Sequence, residues 1–145
     1  LVLIDYTKPS TEKRFYILDL LQKKLLLSTY VAHGRGSGDN YAVAFSNRPG
    51  SYQSSLGFFR TGDTYMGKNG YSLFLDGLEK GINDKARERA IVVHGANYAD
   101  PAVLKGQQRL GRSLGCPALP PDISKQVIDT IKGGGLLYIY GLNKA

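Results

Sequence analysis

Glycine occupies 18 of the 145 positions in this chain, well above a typical share of about 7%. The apolar runs are short, and most are closed by Gly, Asn, Asp or Pro. Such punctuation ends strands early and turns the chain back on itself, so the pattern predicts a mainly β fold. Strands are expected over residues 1–6, 15–20, 25–32, 57–60, 71–75, 90–93 and 136–140. Residues 15–20 and 25–31, separated around Lys23-Lys24, read as a hairpin with the lysines at its tip. Asp63 and Asp76, each beside a glycine, read as turn residues.

Only one helix is well marked. Ile123, Val127, Ile128 and Ile131 recur at helical spacing after Pro120-Pro121, with Asp122 as the expected N-cap and Lys132-Gly133 as the stop. A shorter, polar helix is expected on the surface over residues 83–89. The fold class predicted is a single mixed β-sandwich-like domain spanning 1–145, with one or two short helices; the length fits one domain.

Composition removes several functional classes. With 42% hydrophobic and 21% charged residues the chain can bury a core. No apolar run approaches the roughly 18 residues of a transmembrane helix. One cysteine and two histidines exclude a disulfide scaffold and a four-ligand structural zinc site, and no metal or other cofactor is expected. Nineteen Lys and Arg against 12 Asp and Glu leave a net charge of +7, which favours an anionic partner: a nucleic acid, an acidic membrane surface or a cell-wall polymer. The basic residues are scattered, without an RRM, KH or zinc-knuckle pattern, so nucleic acid is not the expected partner. Because the first residue is Leu1, a leader is expected to have been removed.

The stretch richest in chemistry runs from Ile91-Val92-Val93-His94-Gly95 to Gly111-Arg112-Ser113-Leu114-Gly115-Cys116-Pro117. A short apolar strand delivers His94 at its end, and a glycine-flanked turn carries the only thiol. A cysteine nucleophile needs a base or an imidazolium within reach. Glycines beside it admit a substrate carbonyl and free backbone N–H groups for an oxyanion. A lone cysteine can equally be a small buried hydrophobe. The turn-forming surroundings and nearby Arg109 and Arg112 weigh toward the nucleophile.

The pairing of Val93-His94-Gly95 with Ser113-Leu114-Gly115-Cys116 resembles the signature of YkuD-type L,D-transpeptidases, cell-wall enzymes whose motif is His-Gly, a spacer, then Ser-His-Gly-Cys and an Arg. Further segments resemble one branch, the murein L,D-transpeptidase catalytic domain. They are Val31-Ala32-His33-Gly34-Arg35-Gly36-Ser37-Gly38, Phe45-Ser46-Asn47, Ser54-Ser55-Leu56-Gly57, and Gly111-Arg112-Ser113 leading to Gly115-Cys116-Pro117-Ala118. The resemblance implies that Cys116 is the nucleophile and His94 the base. It places Gly115 and Cys116 at the oxyanion N–H positions, Ser113 at the residue that shapes the turn, and Gly95 beside the base. Two positions depart from the motif: Leu114 stands where the second histidine would be, and Pro117-Ala118 replace the Arg.

Arg112 is a candidate for the stem-peptide carboxylate or an ordinary surface arginine. His33 lines the cleft or closes a structural turn; a phosphate cradle is not expected, because the Gly-Lys-Ser/Thr ending is missing. Ser54, Ser55 and the aromatics Tyr52, Phe58 and Phe59 are candidates for the groove edge, the two phenylalanines also for the core. The resemblance implies a cysteine-dependent enzyme of the bacterial cell envelope, periplasmic or secreted. It would act as a monomer on peptidoglycan stem peptides, cross-linking them or trimming terminal D-alanine. The alternatives are an inactive peptidoglycan-binding domain, or a cysteine hydrolase of another amide.

Overall fold

The computed structural model describes residues 1–144. Its strands are β1 (Val2–Asp5), β2 (Phe15–Asp19), β3 (Lys24–Thr29), β4 (Gly57–Gly67), β5 (Gly70–Gly77), β6 (Val92–Gly95), β7 (Ala118–Leu119) and β8 (Leu136–Tyr140), with one α-helix, α1 (Pro121–Ile131). All eight strands join one sheet in the order β3-β2-β1-β8-β4-β5-β6-β7. The β1–β8 and β6–β7 pairs are parallel and the others antiparallel. Its two edges nearly meet: Ala32, just beyond β3, exchanges hydrogen bonds of 2.8 and 3.3 Å with Ala118 of β7. The mainly β, mixed-sheet expectation holds.

Period-two alternation decides which side chains go inward. Val2 and Ile4 of β1, Phe15 and Ile17 of β2, and Leu137 and Ile139 of β8 all enter one core. From α1 the core receives Val127, Ile128 and Ile131, with Ile123 at its margin. Each fully buried aliphatic side chain contributes about 1.5–3 kcal/mol. Pro121 occupies the first helical turn, where its missing N–H costs nothing. Asp122 lies within that turn, not at the cap, which Pro120 occupies without a side-chain hydrogen bond. The acid still faces the positive end of the helix dipole. No helix is long and apolar enough to cross a membrane among the described residues.

Three local expectations change. Residues 83–89 form successive turns instead of a helix, because Asn83 is fully buried and occupied elsewhere. Its amide donates to the Leu56 and Phe58 carbonyls at 2.9 Å each and accepts from Glu79 N–H at 2.9 Å. Gly62-Asp63 does not end β4; it is an irregularity between Thr61 and Thr64, after which pairing with β5 resumes as far as a two-residue loop, Lys68-Asn69. Asp76 likewise lies within β5 and pairs with Arg87 at 2.7 Å. In the β2–β3 hairpin Lys24 pairs with Asp19 inside the strands, so Leu20, Leu21, Gln22 and Lys23 make the tip, with Leu21 fully open to solvent.

Candidate active site

Parallel pairing of β6 with β7 brings the two chemical segments together. In the register His94 opposes Ala118, and the chain reaching Ala118 passes through Cys116. Val92, two residues before His94, donates its N–H to Cys116 Sγ at 3.4 Å, and the thiol donates to the Ala90 carbonyl at 3.4 Å. Cys116 and His94 are both buried, and both line one cavity of about 330 Å³. Lys68, Asn69, Arg89, Ala90, Ile91, Tyr98, Arg112, Ser113 and Leu114 complete its wall. Among the described residues no hydrogen bond joins Sγ to the imidazole.

The His94 ring is oriented by its neighbour. Nδ1 lies 2.9 Å from the Gly95 carbonyl. A carbonyl only accepts, so Nδ1 carries the hydrogen and Nε2 keeps the lone pair of a base. Packing, and not this carbonyl, is what calls for glycine at position 95. A Cβ there would come within 2.5 Å of Ser124 Oγ and 2.9 Å of Ser124 Cβ, so only glycine lets α1 lie against the end of β6.

Ser113 ties the turn that carries Cys116. Its Oγ donates to the Cys116 carbonyl at 2.5 Å and accepts from Gly115 N–H at 3.1 Å. Gly115 has φ +127°, and a Cβ on it would meet Ile91 Cδ1 at 2.9 Å. The turn therefore requires glycine at this position. Gly115 N–H is spent on Ser113, which leaves the Cys116 N–H as the unpaired backbone donor of the expected pair among the described residues. Leu114 is exposed on the cavity rim, and its side chain offers no hydrogen bond.

Burial sets the protonation states. It pushes the Cys116 thiol above its ordinary range, against smaller lowering contributions from the Val92 N–H, Arg89 and Lys68. It pulls the His94 imidazole below its ordinary range, against the Gly95 hydrogen bond. Both shifts favour a neutral thiol beside a neutral imidazole over a resting thiolate–imidazolium pair.

His33, Ser54 and Ser55 stand behind the turn, outside the cavity wall. His33 Nε2 lies 3.1 Å from the Gly38 carbonyl and therefore carries the hydrogen, while Nδ1 accepts from Arg14 Nη2 at 2.9 Å. The His33 carbonyl accepts from Ser113 N–H at 2.9 Å. Ser54 Oγ accepts from Gly34 N–H at 2.9 Å, and a Cβ on Gly34 would touch the Gly115 backbone at 2.9 Å. These segments buttress the turn instead of edging a groove. Of the aromatics, Phe59 is core, Phe58 packs on Tyr138, and Tyr52 lies under the Arg35 guanidinium. Arg112 does line the cavity, with Nη1 3.1 Å from Asp39 Oδ1.

Lys68, Asn69, Arg89 and Tyr98 were not anticipated. Asn69-Gly70 is a turn signal that identifies the loop carrying Lys68. Arg89 lies three residues before β6, but nothing local marks where its side chain goes. Every charged residue in the wall is basic: Lys68, Arg89 and Arg112.

The sequence profile of the L,D-transpeptidase catalytic domain matches residues 1–140. The fold is similar to an L,D-transpeptidase from Mycobacterium smegmatis, at 12% identity and TM-score 0.56, covering 97% of this chain and 58% of that one. It is also similar to the helical cell shape determining protein Pgp2 from Campylobacter jejuni, at 15% identity and TM-score 0.62, covering 99% and 48% respectively. An L,D-transpeptidase from Stackebrandtia nassauensis matches at 15% identity and TM-score 0.56, covering 99% and 56%. At these identities the likeness is one of fold, and the chain spans about half the length of the solved structures it matches. No curated protein matches the sequence.

Proposed function

The chain belongs to the L,D-transpeptidase catalytic domain family, and from that premise we propose that it is a cysteine-dependent acyltransferase of peptidoglycan stem peptides. The observation that carries the reading is the shared cavity of Cys116 and His94, with the imidazole lone pair left on Nε2. In this reading Sγ attacks the carbonyl carbon that precedes the terminal D-alanine, and its proton passes to His94 Nε2. The Cys116 N–H is the donor available to the developing oxyanion. The C–N bond then breaks, His94 returns the proton to the departing D-alanine amine, and a thioester remains on Cys116.

An amine on another stem resolves the thioester, losing its proton to His94 and giving a cross-link. Water resolves it instead in an L,D-carboxypeptidase turnover. The basic wall suits a donor with free carboxylates, and Arg112 is the candidate for one of them. A domain assigned to residues 1–145 in the cell envelope, acting as a monomer without a cofactor, is consistent with this reading.

The test incubates the protein with a stem tetrapeptide and follows D-alanine release and the acyl adduct by mass spectrometry. Release with an adduct on Cys116, both lost in Cys116→Ala, is expected. No release from either protein would return the chain to the inactive-binder alternative, release that survives Cys116→Ala would remove Cys116 as the nucleophile, and turnover of ordinary L,L-peptides alone would make it a different cysteine hydrolase.

A further inference from the structure

We propose that Arg89 is the positioning cation of this site, a fixed guanidinium that favours negative charge on Cys116 Sγ as its proton leaves. The inference rests on Cys116 being the nucleophile. Arg89 is half-buried, yet its charge faces no carboxylate. Nη1 donates to the Ser46 carbonyl at 2.9 Å and Ser55 Oγ at 2.8 Å; Nη2 donates to the Gln53 carbonyl at 2.8 Å and Ser51 Oγ at 3.2 Å. All four acceptors are neutral. The neighbouring arginines differ, since Arg87 pairs with Asp76 and Arg112 with Asp39. Withdrawing a cation from water without an opposite charge is costly, and neutral hydrogen bonds offset only part of that cost.

The position of the guanidinium gives the uncompensated charge a use. Arg89 lines the cavity that holds Cys116, and a Cβ on Gly115, the residue before the nucleophile, would meet Arg89 Nη2 at 3.4 Å. The carbonyl next along the chain, that of Ala90, accepts from Sγ. Ala90 itself holds φ +56°, a conformation an L residue adopts at some cost, so the chain bends sharply between Arg89 and β6.

The other titratable groups facing this cavity are Lys68 and Tyr98, with Arg112 on the nucleophile turn and His94 on β6. Burial holds Tyr98 neutral, with its phenol pushed up to about 12. His94 is neutral when it acts as base. Lys68 is exposed at a loop tip, where solvent screens it. With no carboxylate in the wall, the deprotonated thiol is the natural anion for Arg89. This assigns the cationic role to a residue distant in sequence from the motif, whose own cation, Arg112, is paired with Asp39.

The test measures the rate of Cys116 alkylation by iodoacetamide against pH in wild type, Arg89→Lys, Arg89→Gln and Lys68→Gln, with circular dichroism as the check on folding. Arg89→Gln is expected to raise the alkylation midpoint by about one pH unit or more. Arg89→Lys loses the same forked hydrogen bonding but keeps the charge, so its midpoint should rise by less than half as much, and Lys68→Gln should move it least. Equal shifts in the Lys and Gln variants, or no shift in Gln, would overturn the assignment. If the Gln variant does not fold, the Lys variant decides: a midpoint displaced by a full unit rejects a charge effect. A midpoint that rises in Arg89→Gln while Cys116→Ala still releases D-alanine as wild type would refute the nucleophile reading and leave the electrostatic coupling standing.

Discussion

Ser113 Oγ donates to the carbonyl of Cys116 at 2.5 Å, closing the turn on which the thiol sits, and the same oxygen accepts from Gly115 N–H. Ser113 is buried, so removing the hydroxyl leaves both backbone groups without a partner. Ser113→Ala is expected to cost about 2–3 kcal/mol, read as a lowered urea midpoint at unchanged slope. D-alanine release should fall at least about tenfold, because the Cys116 N–H loses its fixed direction. Full activity in a destabilised Ser113→Ala would mean that the turn does not aim this donor.

Gly115 is a stricter position. Its φ of +127° and the 2.9 Å approach to Ile91 Cδ1 oppose any side chain both conformationally and sterically. Gly115→Ala should lose at least about 2 kcal/mol of stability and most of its turnover. Thermal unfolding and tetrapeptide hydrolysis read the two effects separately.

The acid limb of kcat/KM should fall below the ordinary imidazole value of about 6.5. In the proposed mechanism His94 serves as base only when neutral, and its burial lowers its pKa, so the active form would persist further into acid. His94→Ala should lower kcat/KM by about 10²-fold or more and abolish that limb. An acid limb at or above that ordinary value would contradict a base whose pKa is lowered by burial.

His33 makes stability depend on pH. Its pKa is lowered to about 4, first by burial and then by Arg14, whereas the unfolded chain titrates near about 6.5. Between those values the unfolded state binds the extra proton, so stability is full above about pH 6.5 and falls as pH drops toward 4. The loss reaches about 3 kcal/mol in total. Urea unfolding from pH 7 to 4 measures it, and His33→Gln should flatten the slope by that amount while the smaller contribution of His94 remains. An unchanged slope in the variant would show that His33 does not carry the titration.

Local patterns were legible where their cause is local. The Ile123, Val127, Ile128 and Ile131 spacing gave α1, because a helix repeats within its own segment. The hairpin of β2 and β3 was found for the same reason, although its tip was misplaced, since pairing Asp19 with Lys24 depends on cross-strand register. Gly62-Asp63 misled because a strand irregularity and a turn share the same residue preferences. Asn83 misled because its polarity serves buried carbonyls and not solvent.

The fold class, the family resemblance, and the choice of the only thiol and the imidazole to set beside it could all be read from the sequence. It took the packed structure to show that His33 and Ser54 support the Cys116 turn from behind, that Ser55 holds Arg89, and that Arg89, the last residue of a segment read as a surface helix, reaches the cavity. The reason is physical: a motif records what neighbouring backbone can do. Parallel pairing of β6 with β7, the close approach of Gly34 to Gly115 and the anchoring of Arg89 by Ser46, Gln53 and Ser55 join residues far apart in the chain. Those contacts exist only once the sheet has nearly closed.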